Sequence, residues 1–134
     1  MADIIKPLQV EPAAITVVAG AAASIKVIDV PGGMDVLHLQ IKNTHASVAF
    51  DTLTIQNRAT VNGTWVSNGT DAASYTTAVK YPMLGASASP VTLAAAATVS
   101  VFYDVRGIDA INILASGNAA TSEATLYYSF SQRR

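Results

Sequence analysis

The chain carries one pattern twice, and this repeat constrains the fold more than any other feature of the sequence. Residues 17–27 are echoed by residues 91–101, an offset of 91 − 17 = 74. Each copy then runs through an Asp-Val pair, a glycine turn and a second aspartate into an alternating segment. A unit this short cannot enclose a hydrophobic core alone. The repeat therefore predicts two matched half-domains around one shared core, with Val27 and Val101 at matching positions.

Short alternating segments separated by turn residues indicate which secondary structure fills these halves. Residues 37–42 and 125–130 alternate strictly between apolar and polar side chains, which puts one face of a strand on a core. Turn signals such as Pro31-Gly32-Gly33 and Arg106-Gly107 punctuate the chain. The pattern predicts strands over residues 15–18, 24–30, 36–43, 53–58, 65–66, 75–80, 91–93, 98–105, 110–115 and 124–132. It is typical of an all-β protein, an antiparallel β-sandwich of jelly-roll-like form.

The alanine run at residues 94–97 is the one place where a helix competes with this interpretation, because alanine favours helix. The run is four residues long, follows Pro90-Val91-Thr92 and lacks a helical apolar stripe. It is therefore predicted to be a tight turn.

A chain of 134 residues is expected to form one domain. We assign residues 13–134 to the β-sandwich domain and residues 1–12 to an extended N-terminal arm, since the arm holds two prolines and no period of two. Four apolar side chains of the arm would be exposed if it hung free, so they are expected to lie against the domain or a neighbour. They are Ile4, Ile5, Leu8 and Val10.

Charge and composition argue against several classes of function. Only 13% of residues are charged, against about a quarter in most proteins, and the formal net charge is −1. Such a surface has little attraction for nucleic acid or an anionic membrane. No apolar run approaches the ~18 residues of a membrane helix, and the N-terminus does not resemble a secretory signal. With so few charges to oppose association, much of the exterior is expected to be covered by other subunits.

No catalytic or metal-binding set emerges from the sequence, so we expect no enzyme activity and no cofactor. Cysteine is absent, which excludes thiolate sites. Four aspartates at strand ends could share acid–base work or bind calcium, but aspartate at such positions commonly shapes turns. They are Asp29, Asp35, Asp104 and Asp109. His38 and His45 lack metal-ligand spacing and are expected to be ordinary surface residues.

Three aromatic residues, Trp65, Tyr75 and Tyr81, lie in the least regular portion of the chain, residues 57–89. They could form a platform for a sugar ring. The simpler interpretation is that Trp65 closes one end of the sandwich while the tyrosines bridge core and water.

The layout resembles the small β-sandwich structural modules of tailed-bacteriophage virions, including head decoration or cement proteins. The features that carry the resemblance are the Asp-Val-x-Gly turns, the central Asn62-Gly63-Thr64-Trp65 and the closing strand at residues 124–130. The resemblance covers roughly residues 13–132 and transfers no functional residue.

It implies a non-enzymatic protein, made in the host cytoplasm, that binds the major capsid protein on the outside of the capsid and stabilises the shell. It also implies a homo-oligomer, a dimer or trimer, with no direct contact to nucleic acid or membrane. We expect the four apolar arm residues to contribute to the capsid contact.

Two alternatives remain open. A carbohydrate- or receptor-binding module of a phage tail or fibre would use Trp65, Tyr75 and Tyr81. A small hydrolase would use the paired aspartates, so that replacing Asp29 and Asp104 would abolish activity without unfolding the protein.

Overall fold

The computed structural model describes residues 4–5, 9–10, 14–67 and 91–132, which form β-strands joined by turns. These residues include no helix, and so no helix that could span a membrane. The strands are β1 (Ile4–Ile5), β2 (Gln9–Val10), β3 (Ile15–Val17), β4 (Ala23–Asp29), β5 (Val36–Asn43), β6 (Phe50–Arg58), β7 (Val66–Ser67), β8 (Val91–Leu93), β9 (Thr98–Asp104), β10 (Ala110–Gly117) and β11 (Ser122–Gln132).

The strands form two antiparallel sheets that pack face to face. In the first sheet, β11 lies between β5 and a broken edge made of β1, β2 and β3, and β9 follows β5. In the second sheet, β6 lies between β10 and a broken edge made of β7 and β8, and β4 follows β10. The predicted fold class, an antiparallel β-sandwich, is confirmed. The strand orders β3-β11-β5-β9 and β8-β6-β10-β4 are those of a jelly roll.

The two halves of the chain are interleaved between the sheets. Strands β3 to β6 of the first half correspond to β8 to β11 of the second, and exchanging the halves converts one strand order into the other. The central strands β5 and β10 start 110 − 36 = 74 residues apart, which is the offset read from the sequence. Two matched half-domains therefore do share one core.

Within β4 and β9 the predicted equivalence is displaced by one residue. Val27 lies opposite Asn112 in β10, and Phe102 lies opposite His38 in β5. Because 112 − 38 = 74, Val27 corresponds to Phe102 and not to Val101. The cause is the turn between Val30 and Asp35, which is one residue longer than the turn between Val105 and Asp109. A bulge at Ile25, which has no partner in β10, adds a second residue of displacement, so that Ser24 corresponds to Ser100.

The repeat extends to the turns that lead into β5 and β10. The N–H of Met34 donates to the carbonyl of Pro31 at 3.3 Å, and the N–H of Ile108 donates to that of Val105 at 3.1 Å. Gly33 and Gly107 occupy the third position of these turns with φ of 80° and 75°. Both backbones are left-handed there, which glycine adopts without strain.

The core fills the space between the sheets and comes from the strictly alternating strands. In β5, alternate side chains beginning with Leu37 are fully buried, and Leu53 and Ile55 continue this pattern in β6, whereas β10 is buried at every position but Leu114. The largest fully buried side chains are Tyr103, Phe50, Leu37, Leu39, Ile41, Leu53, Ile55, Ile111, Ile113, Leu126 and Val17. Each large apolar side chain buried in this way contributes roughly 1.5–3 kcal/mol to folding.

One buried polar side chain, Asn43, closes an end of this core. Its Nδ2 donates to the carbonyls of Val48 at 2.9 Å and Leu93 at 3.3 Å. Its Oδ1 accepts from the N–H of His45 and from the hydroxyl of Ser122, at 3.0 and 3.1 Å. A buried amide is tolerated because its polar atoms are paired. Asn43 thus links β5, β8, β11 and the loop before β6.

The N-terminal residues follow the outer edge of β11. Ile4 and Ile5 pair with Gln132 and Ser131, and β2 pairs with Tyr127 and Tyr128. Strand β3 continues the same line towards the start of β11. The described residues of the predicted arm form two short strands that add backbone pairing to the first sheet. The boundary at residue 12 stays a prediction, and Leu8 lies outside the described residues.

The alanine run forms a turn, as predicted. The N–H of Ala97 donates to the carbonyl of Ala94 at 3.1 Å, and Ala96 has a φ of 61°. A left-handed backbone at an alanine costs roughly 1–2 kcal/mol, because Cβ approaches the following carbonyl.

Replacing Ala96 with glycine should therefore stabilise the fold by about 1 kcal/mol, since glycine adopts positive φ without strain. Denaturant unfolding of Ala96→Gly measures the gain. Ala95→Gly is the matched control in the same turn, and it should leave stability unchanged or lower it. Equal effects of the two variants would contradict the strain at Ala96.

Candidate functional site

The predicted aromatic platform is described only at Trp65, because Tyr75 and Tyr81 lie outside the described residues. Trp65 is half-buried and immediately precedes β7. The guanidinium carbon of Arg58 sits 4.5 Å from the centre of its ring, a cation–π contact. One face of the indole is therefore covered by a side chain of the same molecule.

Arg58 is also bound by Asp109. The Nε of Arg58 lies 2.8 Å from Oδ2 of Asp109, and the backbone N–H of Asp109 donates to the Arg58 carbonyl at 2.9 Å. Side chain and backbone thus fix the same pair, and both side chains are partly shielded from water. The stack of Asp109, Arg58 and Trp65 is a preorganised cluster at one end of the second sheet.

Two exposed apolar side chains lie close to Trp65 in the sequence. Val66 in β7 is 45% exposed and Val61 in the preceding turn is 66% exposed. The turn is closed by the N–H of Gly63, which donates to the carbonyl of Thr60 at 2.8 Å. Tryptophan and arginine beside exposed apolar side chains are the residue types that dominate binding at protein interfaces.

The aspartates lie at strand ends and support turns and strand junctions. The Asp104 carboxylate accepts from the backbone N–H of Arg106 at 3.1 Å and binds its guanidinium. The hydrogen bond from the Arg106 side chain is the main cause that lowers the pKa of Asp104. In the described part of the chain, no three histidine, aspartate or glutamate side chains come together as a metal site.

Asp35 and Asp109 form the same backbone junction in the two halves. The N–H of Asp35 donates to Ser131 and its carbonyl accepts from Val105, both at 2.9 Å. The corresponding groups of Asp109 bond to Arg58 and Val30 at the same distance. Each junction ties the start of a central strand to both of its neighbours. Such bonding agrees with the turn-shaping role that the sequence favours.

The two histidines have different surroundings. His38 is half-buried on the outer side of β5, where Nε2 lies 2.9 Å from the hydroxyl of Ser100. Burial lowers the pKa of His38 below its ordinary value. His45 caps the loop before β6, because its Nδ1 accepts the backbone N–H groups of Ser47 and Val48 at 3.1 and 2.9 Å. Both histidines make structural contacts beyond those of an ordinary surface residue.

A cross-strand hydrogen bond recurs at equivalent places on the two outer faces. His38 contacts Ser100 on the first sheet, and Asn112 accepts from the hydroxyl of Ser24 on the second. Asn112 also donates to Oε1 of Gln56 at 3.1 Å. Because 112 − 38 = 74, the repeat preserves the geometry while changing the residue. This ladder was missed from the sequence, since it needs the register of three neighbouring strands.

The central part of the outer face of the second sheet is neutral, and the charged residues Asp29 and Arg58 lie at its end, where both pair with Ala110. We call this central part the second-sheet face, and it consists of Ser24, Val27, Thr52, Thr54, Gln56, Asn112, Leu114 and Ser116. None of these side chains is charged, and Val27 is 41% exposed. Hydroxyl pairing between Thr52 and Ser116 at 2.7 Å satisfies polar groups within the face. A neutral, internally bonded surface can be covered without removing charges from water.

Comparison with known proteins places this fold beside two solved structures. The SPBc2 prophage-derived protein YomS matches with a TM-score of 0.52 and 13% sequence identity, over 96% of this chain and 98% of YomS. A chain from the Bacillus endospore appendages, described as disulfide-linked pili, matches with a TM-score of 0.43 and 18% identity, over 99% of this chain and 93% of the other. No protein-family model and no curated protein sequence matches this chain. At these identities the likeness is one of fold.

Removing the guanidinium should expose the tryptophan to water. In Arg58→Ala we expect the fluorescence emission of Trp65, the sole tryptophan in the sequence, to shift to longer wavelength. Stability should fall by about 1 kcal/mol as the stack and the ion pair are lost together. Arg106→Ala, which removes an exposed ion pair, is the matched control and should leave the emission unchanged. An unshifted Arg58→Ala spectrum would refute the stack.

His38 should make stability depend on pH below neutrality. Burial lowers the pKa of His38 in the folded state, whereas the unfolded chain titrates near pH 6.5. The unfolded state therefore binds the proton more readily, and the free energy of unfolding falls as pH drops below about 6.5.

Urea unfolding at pH 7.5 and at pH 5 measures this loss. The loss should be smaller in His38→Gln, which retains His45 and every carboxylate. Equal losses in both proteins would show that His38 contributes nothing.

Proposed function

We propose that this protein is a non-enzymatic structural component of a phage virion, a decoration protein that binds the outer capsid surface. The observation that carries the proposal is the jelly-roll sandwich itself, similar over almost its whole length to a prophage-derived protein. Jelly rolls are a common architecture of viral structural proteins. The proposed partner is the major capsid protein, and the proposed location is the capsid exterior after synthesis in the host cytoplasm.

The surface of the sandwich supports a docking role. The second-sheet face is neutral, and the exposed side chain of Val27 lies on it. Covering such a surface removes apolar area from water and desolvates no charge. If each unit is a dimer or trimer, its several contacts with the capsid would act together and add avidity.

The N-terminal arm is the second element that supports docking. Its strands β1 and β2 lie on the rim of the first sheet, paired with β11. We propose that Ile4, Ile5, Leu8 and Val10 contact the capsid there. Their contribution is burial of apolar area, partly offset by the entropy of ordering the segment.

The carbohydrate-binding alternative has less support. Arg58 covers one face of the Trp65 ring, which leaves at most the other face for a sugar. A glycan panel read by tryptophan fluorescence tests this alternative directly, because a sugar bound on the Trp65 ring would change the fluorescence of that ring.

Co-sedimentation with capsid shells tests the proposal. The shells are assembled from the major capsid protein of the phage or prophage that encodes this chain. Wild-type protein should bind at a fixed stoichiometry and raise the temperature at which shells rupture. Absence of binding, together with a response on the glycan panel, would replace the decoration role by the alternative.

The arm is tested separately by replacing its four apolar residues with threonine, which keeps strand propensity. The variant Ile4→Thr/Ile5→Thr/Leu8→Thr/Val10→Thr should bind shells at least about tenfold more weakly, a loss of roughly 1.4 kcal/mol. Val61→Thr, an equally apolar-to-polar change at an exposed site, is the control. Undiminished binding by the arm variant would exclude the arm from the contact.

A further inference from the structure

The described residues give the two sheets four edges. Two of these edges consist of short strands, and a third is irregular. The first sheet ends on one side in β1, β2 and β3, and the second ends in β7 and β8, each two or three residues long. The third edge, β4, is interrupted by the bulge at Ile25 and carries the half-buried Lys26. Short strands, bulges and lysines are the devices by which proteins keep sheet edges from pairing with other chains.

The fourth edge, β9, has none of these devices. It pairs with β5 in unbroken register over seven residues, from Thr98 to Asp104. Its sequence, Thr-Val-Ser-Val-Phe-Tyr-Asp, contains no lysine, arginine, proline or glycine. Among the described residues, β9 has no strand on its other side. A long, regular and apolar edge is a template for pairing with another strand.

The hydrogen-bond pattern defines which backbone groups this edge offers. The N–H of Asn43 donates to Ala97, and the N–H of Val105 donates to Asp35, at the two ends of the β5–β9 ladder. In an antiparallel ladder the bonded residues alternate. The backbone groups of residues 99, 101 and 103 therefore point at β5. Those of residues 98, 100, 102 and 104 point away from it.

We propose that the β9 edge pairs with β9 of a second copy, antiparallel, about a twofold axis at Val101. This register places Thr98 opposite Asp104, since 98 + 104 = 101 + 101, and Ser100 opposite Phe102. All four outward-pointing residues of each strand then face one another. Four bonded pairs with two hydrogen bonds each give eight in total.

Alternative registers use the edge less well. A shift of one residue places outward-pointing backbone groups opposite inward-pointing ones. A shift of two residues leaves Thr98 or Asp104 of each copy beyond the end of the other copy's β9. Three bonded pairs then form instead of four. The proposed register also keeps the two Asp104 carboxylates apart, because each lies opposite a threonine.

In this register the core-facing side of β9 in one copy continues into the core-facing side of β9 in the other copy. The buried residues Val99 and Tyr103 of one copy come opposite Tyr103 and Val99 of the other. A seven-residue edge is small beside the ~800 Å² per partner of a standard interface. The dimer is therefore expected to dissociate on dilution. The inference concerns contacts between copies and does not rest on capsid binding.

Cysteine cross-linking tests the register, because the chain contains no cysteine. Val101→Cys puts two thiols on the twofold axis as a non-bonded pair, within the Cα separation that a disulfide needs. It should form a covalent dimer under mild oxidation. Ser100→Cys is the control, since its two copies lie diagonally across the ladder, beyond about 7 Å. Faster cross-linking of Ser100→Cys, or none at Val101→Cys, would overturn the proposal.

Sedimentation velocity of the full chain tests the edge itself. Wild type should shift from 13.9 kDa towards twice that mass as concentration rises. Phe102→Pro removes an outward-pointing N–H without breaking the β5 ladder, and it should remain monomeric. Val27→Pro makes the same change at the equivalent position of β4 and should still dimerise. A wild type that stays monomeric at every concentration, or a dimeric Phe102→Pro with a native circular dichroism spectrum, would overturn the proposal.

Discussion

Each sheet of this protein is built from both halves of the chain, and the fold depends on that exchange. The central strand β11 of the second half lies between β3 and β5 of the first, while β6 of the first half lies between β8 and β10 of the second. A half-domain on its own would leave its central strands unpaired and would expose its apolar side chains to water. The hydrophobic effect acts fully only when both halves close on the same core. The buried amide of Asn43 then fixes the end where β5, β8 and β11 meet.

Much of this architecture could be predicted from the repeat and the alternation. Strand β5 begins and ends at the residues predicted, because residues 37–42 within it alternate without a break. The start of β6 was placed three residues late, since Asp51 interrupts the apolar pattern where the β10 register shifts near Phe50. The equivalence of β4 and β9 was wrong by one residue at Val27, because the turn after β4 is one residue longer than the turn after β9. It was wrong by two at Ser24, because the bulge at Ile25 leaves no mark in the sequence. Ser24, Ile25 and Lys26 read as an ordinary alternating strand.

The candidate site was harder to predict, for a physical reason. Trp65 was identified as the side chain of interest, but its contact with Arg58 depends on how the chain folds back between β6 and β7. The ladder of Ser24, Asn112 and Gln56 joins residues from three strands, so it exists only once the register is fixed. Alternation shows which side chains face outwards. It does not show which of them meet.

The place of β11 in the first sheet also sets when the protein can fold. This strand ends at Gln132, yet it pairs with β1, which begins at Ile4. Synthesis must therefore reach residue 132 before the first sheet can assemble around its central strand. Folding is expected to be slow, because the pairings that matter join residues more than a hundred positions apart.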